Sequence, residues 1–278
     1  MKANTLQWSS KDGIQFYGKC WEPENGDIKA VINLVHGMGE HIDRYEHVAD
    51  FFTSNGYAVI GFDHRGHGKS GGNRGHIPSY DTILDDVDML LKQSAGRYPG
   101  KTMFIYAHSM GAGVVANFLI RRQPTNVKAV LLSAPYFRLS FPQPAVKLWL
   151  GRMTQNLLPT LTLPTGLNAE HISRDKHEVT KYKNDPLVHD KISAMMGISL
   201  VDAGEYAIEH ADKIRVPVLA LHGTADQLTS CDATRSFAQK AGKIVELKLY
   251  EGLYHEIHNE PEKQQVLNDA LSWFEKHL

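Results

Sequence analysis

The stretch KTMFIYAHSMGAGVVANFLIRR, residues 101–122, places a buried strand directly before a helix. Residues 101–107 predict the strand, because 103–107 form a continuous apolar run of the kind found where a strand is covered on both faces. Residues 109–122 predict the helix, whose last turn carries two arginines, and cations are favoured at a helix C-terminus. A strand that passes at once into a helix is the repeating unit of α/β folds.

The same alternation continues on both sides of this unit. The chain opens with two strand-like runs around the turn residues 11–13, which predict an antiparallel hairpin. Further apolar runs predict buried strands at 30–35, 57–63, 127–135, 216–223 and 243–252. Because helices of about 12 to 15 residues separate these strands, the pattern predicts an α/β fold with a doubly wound, mostly parallel central sheet flanked by helices.

The strand pattern is interrupted between residues 136 and 212, where no run is typical of a buried strand and prolines recur. We therefore expect residues 1–135 and 213–278 to form the core, and residues 136–212 to form a helical cap inserted over the sheet. One predicted helix of this cap carries an apolar stripe, formed by Val146, Trp149, Leu150, Met153 and Leu157. The stripe favours either contact with an acyl chain or packing on the sheet domain, and the sequence leaves both open.

Composition argues against several classes of protein. The chain has 278 residues, of which 42% are hydrophobic and 22% charged, ordinary values for a globular domain. Its net charge of -1 provides no basic face, so we expect no nucleic-acid partner. Two cysteines, Cys20 and Cys231, are too few for a disulfide framework or a zinc site, and no His/Cys/Asp cluster has metal-ligand spacing. No metal and no cofactor are therefore expected.

The hydropathy pattern bears on location. The first residues include no apolar segment of signal-peptide length, and no run approaches the roughly 18 apolar residues of a membrane-spanning helix. We expect a soluble, cytoplasmic protein, in which any membrane or micelle contact is peripheral and made through the cap.

Ser109 stands where the strand of the opening stretch becomes a helix. The surrounding residues AHSMG nearly fit G-x-S-x-G, an elbow that lifts a nucleophilic serine above the carboxyl ends of the strands. Gly111 supplies the second glycine, whereas Ala107 replaces the first and adds a methyl group. The alternative interpretation is a serine that only caps the helix N-terminus.

A serine hydroxyl becomes a good nucleophile only when a base removes its proton and an acid orients that base. In this architecture the chain order is Ser, then Asp or Glu, then His. Asp226 follows the predicted strand 216–223, and His255 follows the last predicted strand. Because the carboxyl ends of parallel strands meet at one edge of the sheet, we predict a catalytic triad of Ser109, Asp226 and His255.

Fifteen histidines make a coincidental match plausible, so the others need an interpretation. His36 and His222 directly precede glycines at strand ends and are interpreted as residues that shape loops. His108 is expected to point away from the serine around the turn. His258 is the nearest rival of the predicted base, and it lies three residues too late for the loop tip.

The developing oxyanion of acyl transfer needs two hydrogen-bond donors. The residue after the nucleophile supplies one, the backbone N–H of Met110, and the loop after the third strand supplies the other, for which Met38 is the candidate. Glycines on both sides of Met38 allow its N–H to turn inward. The same loop does not fit dinucleotide binding, because its glycine spacing is not G-x-G-x-x-G.

With these residues in place, the chain resembles an α/β-hydrolase, and more narrowly the monoacylglycerol lipase and lysophospholipase group, which is grouped with serine aminopeptidase-like hydrolases. The matching stretches are HGMGEHIDRY at 36–45, FDHRGHGKSGG at 62–72, AHSMGA at 107–112, NDPL at 184–187, HGTADQLT at 222–229 and YEGLYHEIHNE at 250–260. The resemblance implies the same triad, the same two oxyanion donors and a cap domain. The departure from the group's pattern is Ala107.

These observations predict a serine esterase that hydrolyses monoacylglycerols through an acyl-enzyme, with a small lipid ester as its partner. A lysophospholipase or a general carboxylesterase is the alternative within enzymes, and a ligand-sensing protein on a hydrolase scaffold is the alternative outside them. Chain-length preference, headgroup preference and oligomeric state are left open by the sequence.

Overall fold

The computed structural model describes residues 1–142 and 144–278. Its strands, in chain order, are β1 (Lys2–Ser9), β2 (Gln15–Glu22), β3 (Ala30–Val35), β4 (Tyr57–Phe62), β5 (Thr102–His108), β6 (Ala129–Ser133), β7 (Thr162–Pro164), β8 (Lys191–Ser193), β9 (Val218–Gly223) and β10 (Val245–Tyr250). Its helices are α1 (Glu46–Ser54), α2 (Tyr80–Arg97), α3 (Ser109–Arg122), α4 (Ala145–Leu157), α5 (Lys176–Asn184), α6 (Ala194–Glu209), α7 (Cys231–Ala241) and α8 (Lys263–Lys276).

Eight of the strands form one sheet in the order β1-β2-β4-β3-β5-β6-β9-β10. Strand β2 pairs antiparallel with both β1 and β4, and every other pairing in this sheet is parallel. The predicted mostly parallel sheet with an antiparallel hairpin at its start is thereby confirmed. The carboxyl ends of β3, β5, β9 and β10 point the same way, so the loops that follow them share one edge.

Two apolar layers cover the sheet. On one face, α2, α3, α6 and α7 pack over the sheet and bury side chains such as Val115 and Phe237. On the other face, α1 and α8 bury Phe52 and Phe274, whose ring centroids are 5.8 Å apart. Because both faces are covered, the central strands β3, β4, β5 and β6 are apolar nearly throughout, as the sequence indicated.

The segment between β6 and β9 contains α4, α5 and a small antiparallel pair, β7 and β8, that sequence analysis did not anticipate. Each of these strands has only three residues, and β7 ends in Pro164, so neither produces a strand pattern. Helix α6 also belongs to this segment, yet it buries Met196, Leu200 and Ala207 in the core layer of α3. The division into a core of 1–135 and 213–278 and a cap of 136–212 stays a prediction, and α6 is shared between the two.

The sequence left two roles open for the apolar stripe of α4: contact with an acyl chain, or packing on the sheet domain. The stripe as a whole fits neither role. Its five side chains are exposed, with Val146 at 69% and Leu157 at 73%, so the stripe does not pack on the sheet domain. Only Leu150 lines the cavity described below. Across the two described ranges, no helix combines the length and the hydropathy needed to cross a membrane.

Candidate active site

Ser109 begins α3 directly after β5, and its backbone adopts the left-handed conformation, with φ of +52°. A residue other than glycine rarely adopts this conformation, and where it does the strain is often tied to function. The turn is tight, because a Cβ built on Gly111 would lie 2.3 Å from the carbonyl oxygen of His36. Gly111 is therefore required by close backbone contact, as the elbow motif predicts.

Ala107, the departure from the motif, lies in the core of the sheet two residues before Ser109. The residue lies within β5, between Val35 of β3 and Leu132 of β6, and is fully buried. Its methyl group belongs to the apolar layer on the α3 face of the sheet. The extra methyl therefore packs as a core contact beneath the elbow.

The three residues of the predicted triad meet at the carboxyl edge of the sheet. Nε2 of His255 lies 2.8 Å from Oγ of Ser109, and Nδ1 of His255 lies 2.7 Å from Oδ2 of Asp226. Both distances are those of good hydrogen bonds. The hydroxyl, the imidazole and the carboxylate thus form one continuous chain, in the order that nucleophilic catalysis needs.

Asp226 is held by donors on both oxygens. Its Oδ1 accepts the backbone N–H groups of Leu228 and Thr229 at 2.7 and 3.0 Å, and its Oδ2 accepts the hydroxyl of Thr229 at 2.9 Å.

Burial raises the pKa of Asp226, but the neighbouring His255 and His222 outweigh burial and hold that pKa well below its usual range. In turn, burial lowers the pKa of His255, and the Asp226 charge outweighs it, so that this pKa is raised.

His222 lies closer to the site than the sequence indicated. Its Nε2 is 3.1 Å from Oδ2 of Asp226, and its Nδ1 is 2.9 Å from the hydroxyl of Thr234. The ring therefore helps to fix the carboxylate in addition to shaping the end of β9. The only local signal was its position four residues before Asp226.

The rival histidines do not reach Ser109. His258 is fully buried, stacks on Tyr45 at 4.8 Å and has no hydrogen-bond partner on either ring nitrogen among the described residues. Burial lowers the pKa of His258 to about 3, so the ring is neutral. His108 packs its ring 4.8 Å from that of His255 and places Nδ1 3.2 Å from the hydroxyl of Ser133. His108 therefore packs against the imidazole of His255, and His258 packs against His108, with ring centroids 4.8 Å apart.

Met38 and Met110, the predicted oxyanion donors, lie near Ser109, and their role stays a prediction. Both line the same cavity as Ser109 and His255. Met110 is the second residue of α3, where backbone N–H groups have no partner within the helix. In the described part of the chain, neither backbone N–H donates to another protein group. Two residues that line the cavity of Ser109 therefore have backbone N–H groups without an acceptor among the described residues.

Two cavities meet at Ser109. One, of about 340 Å³, is mainly apolar, and its lining includes Leu148, Leu150, Leu161, Ile198 and Val201. The other, of about 330 Å³, has a mixed lining and is the more polar of the two; its lining includes the polar side chains of Glu40, Asn168, Lys183, Asp185 and Asp190. Ser109, His255 and Met38 border both. The site is thus a junction with an apolar arm and a polar arm.

The fold and this site define the class of α/β-hydrolases, with the sheet order and the loop positions described above. Residues 26–262 match the family described as serine aminopeptidase, S33, and the chain belongs to that family. The protein is a serine hydrolase.

Three known proteins illustrate the similarity. A monoacylglycerol lipase of Mycolicibacterium smegmatis is 35% identical over 268 residues, 96% of this chain and 95% of that protein. The crystal structure of a monoacylglycerol lipase from Paleococcus ferrophilus has a TM-score of 0.84 and 30% identity, with 100% of each chain covered. An uncharacterized abhydrolase domain-containing protein of Dictyostelium discoideum is 32% identical over 99% of this chain, which spans only 29% of that longer protein. These matches support a lipase or esterase hydrolase activity.

Proposed function

We propose that the protein hydrolyses monoacylglycerols to a fatty acid and glycerol through an acyl-enzyme on Ser109. The observation that carries this proposal is the hydrogen-bonded chain of Ser109, His255 and Asp226 at the junction of an apolar and a polar cavity. The apolar arm suits a single acyl chain, and the polar arm suits a small polyol. Relatives that carry the name monoacylglycerol lipase support the same substrate.

The first half of the reaction forms the acyl-enzyme. His255 accepts the proton of Ser109 at Nε2 while Oγ attacks the ester carbonyl carbon, and the negative charge moves to the carbonyl oxygen. The backbone N–H groups of Met38 and Met110 donate to this oxyanion. Asp226 stabilises the imidazolium of His255. Collapse of the tetrahedral intermediate breaks the ester C–O bond, and His255 returns its proton to the departing glycerol oxygen.

The second half releases the acid. A water molecule takes the place of glycerol, and His255 removes one of its protons as the water oxygen attacks the acyl carbon. The same two N–H groups hold the second oxyanion. Breaking the Ser109–acyl bond returns the proton from His255 to Oγ, so the enzyme is regenerated and a fatty acid leaves.

The polar arm distinguishes glycerol from a phosphorylated headgroup. Its lining carries four acidic residues, Glu40, Asp185, Asp190 and Glu256, and one lysine, Lys183, while Arg44 binds the carboxylates of Glu40 and Glu256. A phosphate placed here would be repelled by the remaining carboxylates of Asp185 and Asp190, whereas glycerol hydroxyls can donate to them. This charge balance favours a monoacylglycerol over a lysophospholipid.

The exposed cap side chains fit contact with a lipid aggregate. Leu150, Leu161 and Leu163 line the apolar cavity and are also 50%, 46% and 60% exposed, so they form its mouth. Leu150 belongs both to this mouth and to the exposed stripe of α4. A contiguous exposed apolar patch of this kind is typical of an interaction site. We therefore include peripheral docking of the cap on micelles or membranes in the proposed function.

Two comparisons test the activity. We expect Ser109→Ala to lose turnover of monoacylglycerols. The matched control is Ser94→Ala, which removes a buried serine hydroxyl on α2 and should retain turnover. A panel of monoacylglycerols, lysophosphatidylcholines and short-chain esters should show the highest kcat/KM on a monoacylglycerol. A maximum on butyrate esters or on a lysophospholipid would replace the proposed substrate, and absence of all turnover would favour a ligand-sensing protein.

A further inference from the structure

One buried cation connects the two loops that flank the nucleophile. Arg44 lies in the short 3-10 turn Ile42–Tyr45, which follows the loop of residues 36–41. Its Nη1 donates to Oε2 of Glu40 at 2.5 Å, within that first loop. Its Nη1 and Nη2 also donate to the two carboxylate oxygens of Glu256 at 2.8 and 2.7 Å, and Glu256 directly follows His255.

On the first loop, Glu40 fixes the backbone next to the proposed oxyanion donor. Its Oε1 accepts the N–H of Gly37 at 2.6 Å and the hydroxyl of Tyr45 at 2.7 Å. The contact is close, because a Cβ built on Gly37 would lie 2.8 Å from the same oxygen. Gly37 directly precedes Met38, so Glu40 fixes the peptide immediately before the one that presents the Met38 N–H.

On the second loop, Glu256 is likewise fixed by several hydrogen bonds. Besides Arg44, the side-chain amide of Asn259 donates to its Oε2 at 2.8 Å, and its own N–H donates to the carbonyl of Ile172 at 2.7 Å. Burial raises the pKa of Glu256, but the Arg44 charge outweighs burial and lowers it to about 2. The carboxylate is therefore charged and tied to Arg44 at neutral pH.

The three side chains are almost inaccessible: 9% of Arg44, 3% of Glu40 and 4% of Glu256 are exposed. Desolvation offsets much of the attraction in a buried ion network, so such a network is weak evidence for a role in stability. The two-pronged geometry of arginine, in contrast, fixes distance and angle between its partners. Arg44 does not border either cavity, and hence acts only through other residues.

We propose that Arg44 is a positioning residue that sets the distance between the loop of Met38 and the loop of His255, and so aligns the oxyanion donor with the base. This inference rests on the proposed function of the site. It predicts that loosening the guanidinium contacts reduces stabilisation of the transition state and leaves ground-state binding of the lipid unchanged.

The test is Arg44→Lys in the full chain, which keeps the positive charge and removes the fork. We expect kcat to fall about ten- to a hundredfold, the cost of a displacement near 1 Å, with KM changed by less than about twofold. An alkyl boronic acid, which forms a tetrahedral adduct with the serine oxygen, should bind more weakly by the same factor. The Kd of a non-hydrolysable monoalkylglycerol ether should not change.

The matched control is Arg65→Lys. Arg65 forms an equally buried two-pronged pair with Asp86, at 2.6 and 2.7 Å, and touches neither flanking loop. We expect a similar loss of thermal stability and an unchanged kcat. If Arg44→Lys does not fold, Glu256→Gln takes its place and should lower kcat with KM retained.

An unchanged kcat in the folded variants would overturn the positioning role, as would a rise in KM and in the ether Kd with kcat retained. Labelling of wild-type Ser109 by a fluorophosphonate separates this failure from failure of the proposed function. If labelling and turnover are normal and Arg44→Lys has no effect, only the positioning role is wrong. If wild-type Ser109 is not labelled, the proposed function itself is wrong.

Discussion

Nε2 of His255 lies 2.8 Å from Oγ of Ser109, although 146 positions separate the two residues in the chain. The contact exists because β5 and β10 run parallel in one sheet and end at the same edge. Ser109 reaches that edge through a strained turn, and His255 reaches it through the loop after the last strand. The chemistry of the site therefore depends on two structural features that are distant in the chain, the turn at Ser109 and the loop of His255.

The pH dependence of turnover should report the neutral form of His255. Only the neutral ring can accept the serine proton, so activity is present above the pKa of His255 and is lost as pH falls through it. Because Asp226 raises this pKa, the inflection in kcat/KM should lie above 6.5, the ordinary value for histidine. A profile of kcat/KM against pH between 5 and 9 measures it, and an inflection below 6.5 would contradict the described charge balance.

Asp226→Asn removes the charge and retains the shape. We expect kcat to fall by about 10⁴, as in triads where the acid orients the base. The inflection of the residual activity should move to lower pH, because burial then lowers the pKa of His255 against only the smaller effects of Glu256 and Glu40. Steady-state kinetics of the folded variant measure both effects. An inflection that stays in place would show that Asp226 does not set the pKa of His255.

Gly111→Ala should prevent the elbow from forming. The new Cβ would meet the carbonyl oxygens of His36 and Val35 at 2.3 and 2.6 Å, and backbone atoms cannot easily give way. We expect loss of the folded protein or of labelling at Ser109. The control is Gly96→Ala on α2, where nothing lies within 4 Å, and which should gain about 0.5–1 kcal/mol of stability. A fully active, stable Gly111→Ala would contradict the described turn.

Ala107→Gly tests the departure from the elbow motif. Since the methyl group is a fully buried core contact, its removal should lower the free energy of unfolding by about 1 kcal/mol, through lost packing and added chain entropy. Turnover should stay within about threefold, because the turn is already formed with alanine present. Denaturant unfolding measures the change in stability, and kcat measures the effect on turnover. A large gain in kcat would mean that Ala107 crowds the elbow after all.

Trp149→Ser combined with Leu157→Ser should impair turnover of aggregated substrate. Both side chains are exposed, at 60% and 73%, so stability should change little. We expect activity on micellar monoacylglycerol to fall several-fold while activity on a soluble short-chain ester is retained, since the exposed stripe supplies apolar contact area. Leu278→Ser, which removes another exposed leucine far along the chain, is the matched control. Equal activity on micelles in both variants would exclude docking through α4.

The sequence sufficed to predict the sheet and the three residues of the site for a common reason. Buried parallel strands produce apolar runs, and the residues that follow such runs share one edge of the sheet. Ser109, Asp226 and His255 lie one, three and five residues after the ends of β5, β9 and β10, so their meeting could be inferred from chain order and loop position. The elbow added a local signal at Ser109, because its glycine spacing reflects backbone contact.

Other features left no local pattern. Strands β7 and β8 are too short for alternation to be seen. The exposure of the α4 stripe could not be foreseen, because an apolar helical face normally indicates burial. Arg44 and Glu256 are 212 positions apart, and nothing near either residue indicates that they pair. Such contacts follow from tertiary packing and require the structure.

The central claim is that Ser109 carries the acyl group during turnover. The most direct measurement is mass spectrometry of peptides from the wild-type protein quenched in acid during reaction with a p-nitrophenyl ester of a fatty acid. We predict that the peptide containing Ser109 gains the mass of the acyl group, and that the gain disappears when the substrate is exhausted. Continued turnover with no acylated Ser109, or with the acyl group on another residue, would contradict the account.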